Sequence, residues 1–529
     1  MRRRVAVASQ AADGLQFFPA PTPLGSAGGN LFTEDFLTPK SMSGDPKLMV
    51  GSDSETKIPR CNVRTGGVPF PTQLRIPGAR IVNIVSGGMS FHALDSEGNI
   101  YVWGALNGQL GSVGSDGFSQ PGARAPTPLR LELPSKIKHI SCGRLHACAL
   151  DFSSRVWNFT SWGRPFTLSS PQLLPADSRP IQVECGWAFS SLLTTSGEVL
   201  VWWPLSGSMQ AQIEAHDTSM DERHRFGSKR PVDGVIPCAT WDLAAEPARL
   251  PGLPSLPKLT AADNEVVEEI RIVKIAALAA HIVALTNQGH VLMFFGLDDE
   301  DIISTHGRWQ YLPNFSELDR VCAMPPFTST DASQSISPPQ ALKITHISAQ
   351  FEKFYAYSLG SFSVVLMGNT DTTEESPPHI EPALQNKSVI SIVVGDWHNA
   401  ALTASGKLLT WGGYSGRSVG TRGPHHALPP GTPGAFETEE LRLRALNRGL
   451  GTPAGTEVPT EVRFDHATRV ERPKERFCFA ACAGGWQCAA LVIDLDDNGE
   501  DEISEEKVED ASRRPNRPLR GAHRHPLSY

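Results

Sequence analysis

The sequence contains no run of about eighteen apolar residues, and this absence excludes an ordinary membrane-spanning helix. It also has no surplus of positive charge, because 48 Lys and Arg residues stand against 56 Asp and Glu residues, for a formal net charge of −8. A general nucleic-acid binder needs a basic face that neutralises phosphates. We therefore expect neither a membrane nor a nucleic acid as the partner of this protein.

Motifs that carry catalysis are missing as well. The sequence has no nucleophile elbow, no glycine loop of the phosphate-binding type, no Cys-x-x-Cys pair and no zinc-helix motif. The pairs His425–His426 and His523–His525 have no companion ligands at metal spacing. We therefore assign no catalytic, cofactor-binding or metal-binding residues, and we expect a protein that is not an enzyme and has no cofactor.

One motif near the C-terminal end matches a calcium loop, but its context does not fit. The twelve-residue pattern, in which alternating oxygens surround the ion, is satisfied by Asp494, Asp496, Asn498, Gly499 and Glu505. Such a loop lies between two helices, whereas residues 488–493 have the pattern of a strand. Asp501 also stands where an apolar residue is usual. We therefore interpret this motif as a chance match.

Cysteine is scarce and odd in number. Of nine cysteines, Cys142, Cys148, Cys185 and Cys488 lie in strands that the pattern predicts to be buried. Unpaired buried thiols are typical of a reducing compartment. The start of the sequence, Met1–Ala8, is basic but has too short an apolar stretch for a secretory signal. The sequence therefore predicts free thiols in a cytoplasmic protein, with the nucleus as the alternative.

Turn residues are abundant, with 47 glycines and 42 prolines, and they suit many short strands rather than long helices. The clearest unit runs from Ile84 to Gly111. It holds an apolar strand, a turn at Gly87, the strand Phe91–Asp95, a turn at Gly98 and the strand Ile100–Trp103. One such small antiparallel sheet is not stable alone, so it needs neighbours to pack against.

This unit recurs seven times. Each copy has a turn anchor, then a His or a substitute three positions later, then an Ala-Leu pair or a variant of it at positions six and seven. The anchors are Gly87, Gly143, Gly186, Leu278, Gln350, Gly395 and Gly484. Eleven positions after four of the anchors, a two-residue turn that needs a positive φ is predicted by Gly98, Gly197, Gly289 and Gly406.

Two further signals accompany the anchors. An aromatic-glycine step closes the third strand, and its tryptophans, Trp103, Trp162 and Trp411, are interpreted as sheet core rather than as platforms for stacking bases. A Pro-Thr step at Pro71, Pro126 and Pro459 opens the outer strand. Three linked signals in the same order indicate true repeats.

The units resemble the repeats of the regulator of chromosome condensation family. The family patterns Cys-Gly-x-x-His and Gly-x-Val-Tyr-x-Trp-Gly are met by Cys142–His146 and Gly98–Gly104. This resemblance implies an all-β fold, a seven-bladed β-propeller of four-stranded antiparallel blades, over residues 29–495. The seventh unit has no third strand of its own, so we expect an N-terminal strand near Gly29–Phe36 to complete the last blade.

Outside and between the blades, the chain has long segments. Residues 1–28 are expected to be disordered, as is the acidic and then Arg/Pro-rich tail 496–529. Three insertions, 204–267, 296–342 and 413–457, exceed usual loop lengths, and such loops are usually disordered or functional. Within the last of them, Phe436–Arg448 has the pattern of a short amphipathic helix that packs on its own ring.

Histidine recurs at one position of the repeat, in His146, His281 and His398. Equivalent positions on blades around a ring indicate a repeated structural role. We therefore expect each histidine to form a hydrogen bond across the first turn of its blade rather than to bind a metal or relay protons.

Architecture alone does not fix function, but a rigid ring without a catalytic set suits the binding of other proteins by a monomeric chain. The eroded, insertion-rich pattern is most similar to fungal SCF-associated factors, in which the propeller selects proteins for ubiquitination. The resemblance implies a substrate-recognition or adaptor component, with ligase subunits and substrates as partners. Residues 1–60, however, show no helices of the F-box type.

Two other functions stay open. The founding member of the family implies a guanine-nucleotide exchange factor for a small GTPase, with the insertion after the third blade as a wedge against the nucleotide site. The acidic balance and the lack of a basic tail argue against exchange. A general scaffold or inhibitor on the same fold is the third alternative, and the sequence does not separate it from the first.

Overall fold

The computed structural model of this protein is an all-β propeller with mostly antiparallel blades, which confirms the predicted fold class in its general form. Six of its sheets are blades of consecutive strands, rather than the seven predicted. The structure describes residues 8–11, 47–52, 68–104, 106, 125–223, 234–259, 269–329, 336–360, 362–413, 438–440, 443, 455–462, 464 and 476–495.

The first half of the ring holds the N-terminal strands and three blades. The N-terminal strands are β1 (Ala8–Ala11), β2 (Lys47–Ser52) and β3 (Val68–Leu74). Blade one has β4 (Ile81–Ser86), β5 (Ser90–Asp95), β6 (Ile100–Gly104) and β7 (Ala125–Glu132). Blade two has β8 (Ile137–Cys142), β9 (Ala147–Asp151), β10 (Val156–Phe159) and β11 (Phe166–Ser169). Blade three has β12 (Pro180–Cys185), β13 (Ser190–Thr194) and β14 (Val199–Trp202), followed by β15 (Val235–Pro237), β16 (Trp241–Ala244) and β17 (Ala248–Arg249) in the first insertion.

The second half follows the same order. Blade four has β18 (Ile272–Ala277), β19 (Ile282–Thr286), β20 (Val291–Phe295) and β21 (Arg308–Tyr311). Blade five has β22 (His346–Gln350), β23 (Lys353–Tyr357) and β24 (Val365–Asn369). Blade six has β25 (Val389–Val394), β26 (His398–Thr403), β27 (Leu408–Gly413) and β28 (Gly455–Glu461), and β29 (Arg476–Asp494) follows. The α-helices are α1 (Gly207–Arg223), α2 (Glu300–His306), α3 (Leu318–Cys322) and α4 (Pro325–Thr328). None of the helices within the described ranges is both long and apolar enough to cross a membrane.

Blade sizes also depart from the predicted four strands. Blades one and two each have a fifth strand, and blade five has three strands.

The predicted second turns are confirmed, because Gly98, Gly197, Gly289 and Gly406 all have positive φ, between 77° and 97°. Ser154, which replaces this glycine in blade two, also has a positive φ, of 64°. The repeat therefore keeps its turn shape where it loses its glycine.

A further sheet joins strands from the two ends of the described chain, in the order β1-β29-β2-β3, and we call it the closing sheet. It pairs β2 and β1 antiparallel with β29. The predicted closing strand near Gly29–Phe36 lies outside the described residues. Strand β1 lies within 1–28, the segment that we expected to be disordered, and pairing with the free edge of β29 is what orders it.

The sheets are arranged around one axis, because the first strand of each blade packs against the first strand of the next, from β4 to β25, and β29 packs against both β25 and β4. These first strands are rich in Ile and Val, which suits strands that neighbours cover on both faces. Successive strands of a blade alternate in direction. The turns between first and second strands (the first turns) and the connections after third strands therefore emerge on one side, which we call the upper face.

The first insertion is folded over much of its length. Helix α1 packs Met209 and Ile213 into the core between blades two and three. The segment 234–249, which we call the strap, then adds β15 parallel to β7, β16 parallel to β11 and β17 antiparallel to β14. The strap therefore pairs with the outer edges of three successive blades, and this pairing explains why a long insertion is ordered.

The second insertion, 296–342, is also folded in its described part. It supplies β21, the fourth strand of blade four, and a small apolar cluster in which Phe315, Val321 and Phe327 pack against blades four and five. Almost all of the third insertion lies outside the described residues, as does nearly all of the amphipathic helix predicted at Phe436–Arg448.

Candidate functional site

The first turns share one hydrogen bond. Gly143 N donates to His146 O at 2.9 Å, and Gly395 N donates to His398 O at 2.8 Å. Leu278 N makes the same bond to His281 O at 2.9 Å, although leucine replaces the glycine there. The turn geometry of the repeat is therefore kept at this eroded anchor.

Glycine is needed in these turns because neighbouring turns approach each other closely. A Cβ added at Gly143 would lie 2.4 Å from Gly186 O, in the first turn of the next blade. Further along the ring, Trp187 N donates to Ala279 O at 3.1 Å, and Ala279 N donates to Phe351 O at 2.7 Å. The first turns thus form a continuous band of touching loops around the axis.

Side chains from this band meet over the centre of the ring. Arg144 Nη1 of blade two lies 3.4 Å from Asp396 Oδ2 of blade six. The Trp187 ring of blade three packs on the Phe351 ring of blade five, with centroids 5.0 Å apart. Loops of blades that are not neighbours can touch only across the central opening. We call Arg144, Trp187, Gln350, Phe351, Asp396 and Trp397 the axial cluster.

The axial cluster is held together and yet remains accessible. The Arg144 guanidinium lies over the Trp187 ring, 4.9 Å from its centroid, and Gln350 Nε2 donates to Asp396 Oδ1 at 3.5 Å. Trp187 is 37% exposed and Trp397, beside Asp396, is 47% exposed. Buried contacts would normally cover rings of this size.

Backbone strain is also located here. Phe351 has a φ of 50°, a left-handed conformation that costs a non-glycine residue about 1–2 kcal/mol. This strain places the Phe351 ring against Trp187 and its carbonyl oxygen on Ala279 N. Strained residues of this kind cluster at binding sites, so the strain is an independent pointer to the axial cluster.

Charges in the cluster are partly withdrawn from water. Burial raises the pKa of Asp396, and the neighbouring Arg144 opposes that rise. Just outside the cluster, burial lowers the pKa of Lys353, and the acids Glu352 and Asp396 oppose that change. The cluster therefore presents exposed aromatic rings around a partly buried ion pair, formed by Arg144 and Asp396. This arrangement can bind another protein surface, because Trp and Arg supply a large share of the energy at protein interfaces.

Each repeated histidine closes its own first turn through its backbone carbonyl, which accepts a hydrogen bond from the anchor N–H, so the expected bond across the turn is confirmed. The histidine side chains make other contacts, which the expectation did not include. His146 Nε2 lies 2.9 Å from Ser190 Oγ of the next blade, and His398 Nε2 lies 2.8 Å from Cys488 Sγ of the closing sheet. His281 instead packs edge-on against Phe295. The His146 ring lies over the turn residue Gly143, and its far nitrogen, Nε2, reaches the neighbouring blade.

The structure also locates the tryptophans of the aromatic-glycine steps and the first residue of the calcium-loop match. Trp103, Trp162 and Trp411 are buried, which confirms them as core. Asp494 of the calcium-loop match is buried and accepts a hydrogen bond from Arg476 Nε at 2.7 Å, while the rest of that motif lies outside the described residues. Across the described ranges, no three His, Cys, Asp or Glu side chains could together hold a metal ion.

All eight cysteines of the described chain are free thiols, as predicted for Cys142, Cys148, Cys185 and Cys488. Burial raises the pKa of the Cys185 thiol well above its ordinary value, and Cys148 adds to the effect. The Cys185 thiol is therefore a protonated core group.

Comparison with known proteins agrees with this architecture. Family models of the regulator of chromosome condensation (RCC1) repeat match residues 97–150 and 389–415, which span blade one to blade two and the centre of blade six. The chain carries RCC1 repeats. The RCC1-like propeller expected from the anchors and the aromatic-glycine steps is therefore confirmed.

Several curated proteins are similar to parts of this RCC1-like chain. SCF-associated factor 1 of Saccharomyces cerevisiae is 28% identical over 151 residues, which are 28% of this chain and 20% of that protein. E3 ubiquitin-protein ligase HERC2 of Homo sapiens is 27% identical over 183 residues, 30% of this chain and 4% of that protein. Ultraviolet-B receptor UVR8 of Arabidopsis thaliana is 26% identical over 346 residues, 63% of this chain and 65% of that protein. The matches cover less than two thirds of each relative.

Solved structures support the fold. Yeast RCC1 (Prp20), in a crystal structure with Kap60, has a TM-score of 0.51 at 14% identity and covers 92% of this chain and 97% of its own. A second structure of Prp20p from Saccharomyces cerevisiae has a TM-score of 0.50 at 16% identity, covering 88% and 95%. At these identities the likeness establishes the fold alone.

Sequence reasoning assigned no site residues and missed the axial cluster. A signal was present, because tryptophan stands within two positions after three of the anchors, at Trp187, Trp397 and Trp486. Arg144 and Asp396 lie 252 positions apart, and only ring closure brings them together.

Proposed function

We propose that this RCC1-like propeller is a non-catalytic binding protein and that it holds partner proteins with the axial cluster on its upper face. The observation that carries the proposal is the contact of Arg144 with Asp396 and of Trp187 with Phe351 across the central opening. These contacts position the exposed ring of Trp187, and they fix Asp396, the residue before the exposed Trp397, before any partner arrives. Such preorganisation reduces the entropy cost of association.

We further propose that the ring has seven blades, with the closing sheet as the seventh. The packing of β29 against both β25 and β4 supports this arrangement. A closed ring would hold the first turns at fixed separations, and the axial cluster depends on those separations.

The proposed partners are a ubiquitin-ligase subunit and the proteins selected for modification, so that the chain acts as an adaptor or substrate-recognition component. Two relatives support this choice by name, SCF-associated factor 1 and the E3 ubiquitin-protein ligase HERC2. We place the protein in the cytoplasm or the nucleus, in line with the free thiols of the described chain.

Affinity purification with matched variants tests both parts of the proposal. Trp187→Ser and Trp397→Ser should reduce capture of specific partners at least about fivefold, because aromatic anchors at an interface centre contribute most of the binding energy. Phe152→Ser, which changes a 62% exposed ring, is the control and should leave capture unchanged. Recovery of Skp-type adaptor and cullin subunits would support the ligase assignment.

Equal capture by the tryptophan variants and the control would overturn the axial cluster as the binding site. Accelerated nucleotide release from a small GTPase would favour the exchange alternative. In the described structure, much of the insertion expected to act as a wedge is paired along blades one to three instead, so we do not adopt exchange as the function.

A further inference from the structure

A cavity of about 280 Å³ lies between helix α1 and the outer part of blade three. Its lining includes Trp202 and Trp203 at the end of β14, Met209 of α1, Glu246 of the strap and Glu300 of α2. Third strands end at the upper face, so the cavity is on the same side of the ring as the axial cluster. Two insertions and a blade therefore build it jointly.

The floor of the cavity is apolar and fixed in position. Trp202 Nε1 donates to Asn158 Oδ1 at 2.9 Å, and Trp203 Nε1 donates to Leu297 O at 3.2 Å. Because both indole N–H groups are already satisfied, the rings have no polar group left to pair. Trp202, Trp203 and Met209 are only 2%, 3% and 7% exposed, so the floor offers a narrow apolar strip for an aliphatic chain.

The rim of the cavity is acidic. Glu246 and Glu300 are the charged side chains among the residues that line it, and both are exposed. Within the described part of the chain, neither carboxylate takes part in a hydrogen bond or an ion pair. Glu300 Oε2 lies near Gly207, the first residue of α1, and the positive end of that helix favours a carboxylate there.

We propose that this cavity takes the side chain of an arginine from a partner protein that is bound to the upper face. The proposal rests on the proposed function, since it adds a second contact to the same face. An arginine combines an apolar stem, which suits the tryptophan and methionine floor, with a cation that complements two carboxylates. A planar guanidinium also pairs in bidentate fashion with carboxylates, which a lysine ammonium cannot do.

Saturation-transfer NMR with the full-length chain tests the site directly. The probe is the acetylated and amidated peptide Gly-Ser-Arg-Ser-Gly, and the comparison peptide carries citrulline, which keeps the shape of arginine without its charge. We expect the arginine peptide to bind at least about fivefold more tightly than the citrulline peptide. Equal binding of the two peptides would overturn the proposal, and binding of a lysine peptide as tight as that of the arginine peptide would overturn the choice of arginine.

Variants identify the cavity as the binding position. The double variant Glu246→Gln/Glu300→Gln should weaken the arginine peptide about fivefold, and Ser208→Trp, at an exposed position that lines the cavity, should block it sterically. Glu374→Gln/Glu375→Gln removes the same charge at exposed positions outside the cavity and is the matched control. Equal weakening by both double variants would overturn the site.

This test separates the cavity from the axial cluster. Trp187→Ser should reduce capture of whole partners and leave binding of the arginine peptide unchanged. If the peptide binds as described while Trp187→Ser and Trp397→Ser capture partners normally, the proposed function fails and the arginine site stands. If partner capture depends on the tryptophans but the citrulline peptide binds equally well, the arginine site fails alone.

Discussion

The ring and the strap use the same kind of strand in different ways. In the ring, a first strand such as β8 is covered on both faces by neighbouring sheets and is joined to the next blade by buried contacts such as that of Ser141 Oγ with Glu184 Oε2. The strap is held by edge pairing with three blades and by few buried side chains, of which Ile236 is one. The ring therefore depends on repeated packing, whereas the strap depends on edges that the repeat leaves free.

This difference predicts which changes are most damaging. A change in the ring should lower the stability of the whole molecule, because each blade covers the next. A change at the strap or α1 should loosen that region locally and leave the ring folded.

The largest effect is expected at the closing sheet. Leu48 of β2 is fully buried, so Leu48→Ala removes apolar packing where the two ends of the chain meet. We expect it to lower the free energy of unfolding by about 3 kcal/mol. Urea denaturation measures this loss. Val458→Ala, at a 50% exposed position, is the control, and an equally small change in both variants would argue against closure through β2.

The next effect concerns the band of first turns. Gly143→Ala places a methyl group 2.4 Å from Gly186 O, and both backbones must move apart. We expect a loss of about 2 to 3 kcal/mol in the free energy of unfolding, within the range of overpacked cores. Gly252→Ala, where the added carbon meets no atom within 4 Å, should be neutral in the same thermal and urea measurements.

A smaller and local effect is expected at α1. The buried Arg164 guanidinium of blade two lies 3.3 Å from Asp217 Oδ1 and also pairs with Asp221, so Arg164→Leu leaves Asp217 without its cation. We expect protection of α1 amides against hydrogen exchange to fall by about 2 kcal/mol while ring amides keep theirs. Arg249→Leu breaks an exposed pair with Glu198 and is expected to cost at most about 1 kcal/mol. Loss of protection around the whole ring would show that α1 is not a separate unit.

The smallest effect is expected in the pH dependence of the free energy of unfolding. Burial lowers the pKa of His398 to about 3, so between pH 6.5 and 3 the unfolded chain binds a proton that the folded chain does not. Stability should therefore fall as pH falls through this range. Between pH 7.5 and 5.5, His398→Asn should remove about 1 kcal/mol of the pH dependence seen in urea denaturation. Val458→Ala, which removes no titratable group at a 50% exposed position, is the control and should leave the pH dependence as it is in the wild type.

Much of the fold could be predicted because the repeat is a local pattern. The turn glycine, the Ala-Leu pair and the aromatic-glycine step each describe a few neighbouring residues, and each has its predicted position in the blades. The histidine partners could not be predicted in the same way, since Ser190 and Cys488 belong to the next sheet. The strap also escaped prediction, because β15 and β16 are short strands whose partners lie about 75 to 105 positions away in the chain.

The sequence by itself determined that this chain folds into small antiparallel sheets, because turn chemistry and strand alternation act over a few residues. Tertiary structure decided which sheets touch, which edges the strap covers and which side chains meet over the centre. Arg144 and Asp396 show the reason, since neither residue is unusual in its own turn and their contact exists only when six blades hold the turns around one axis.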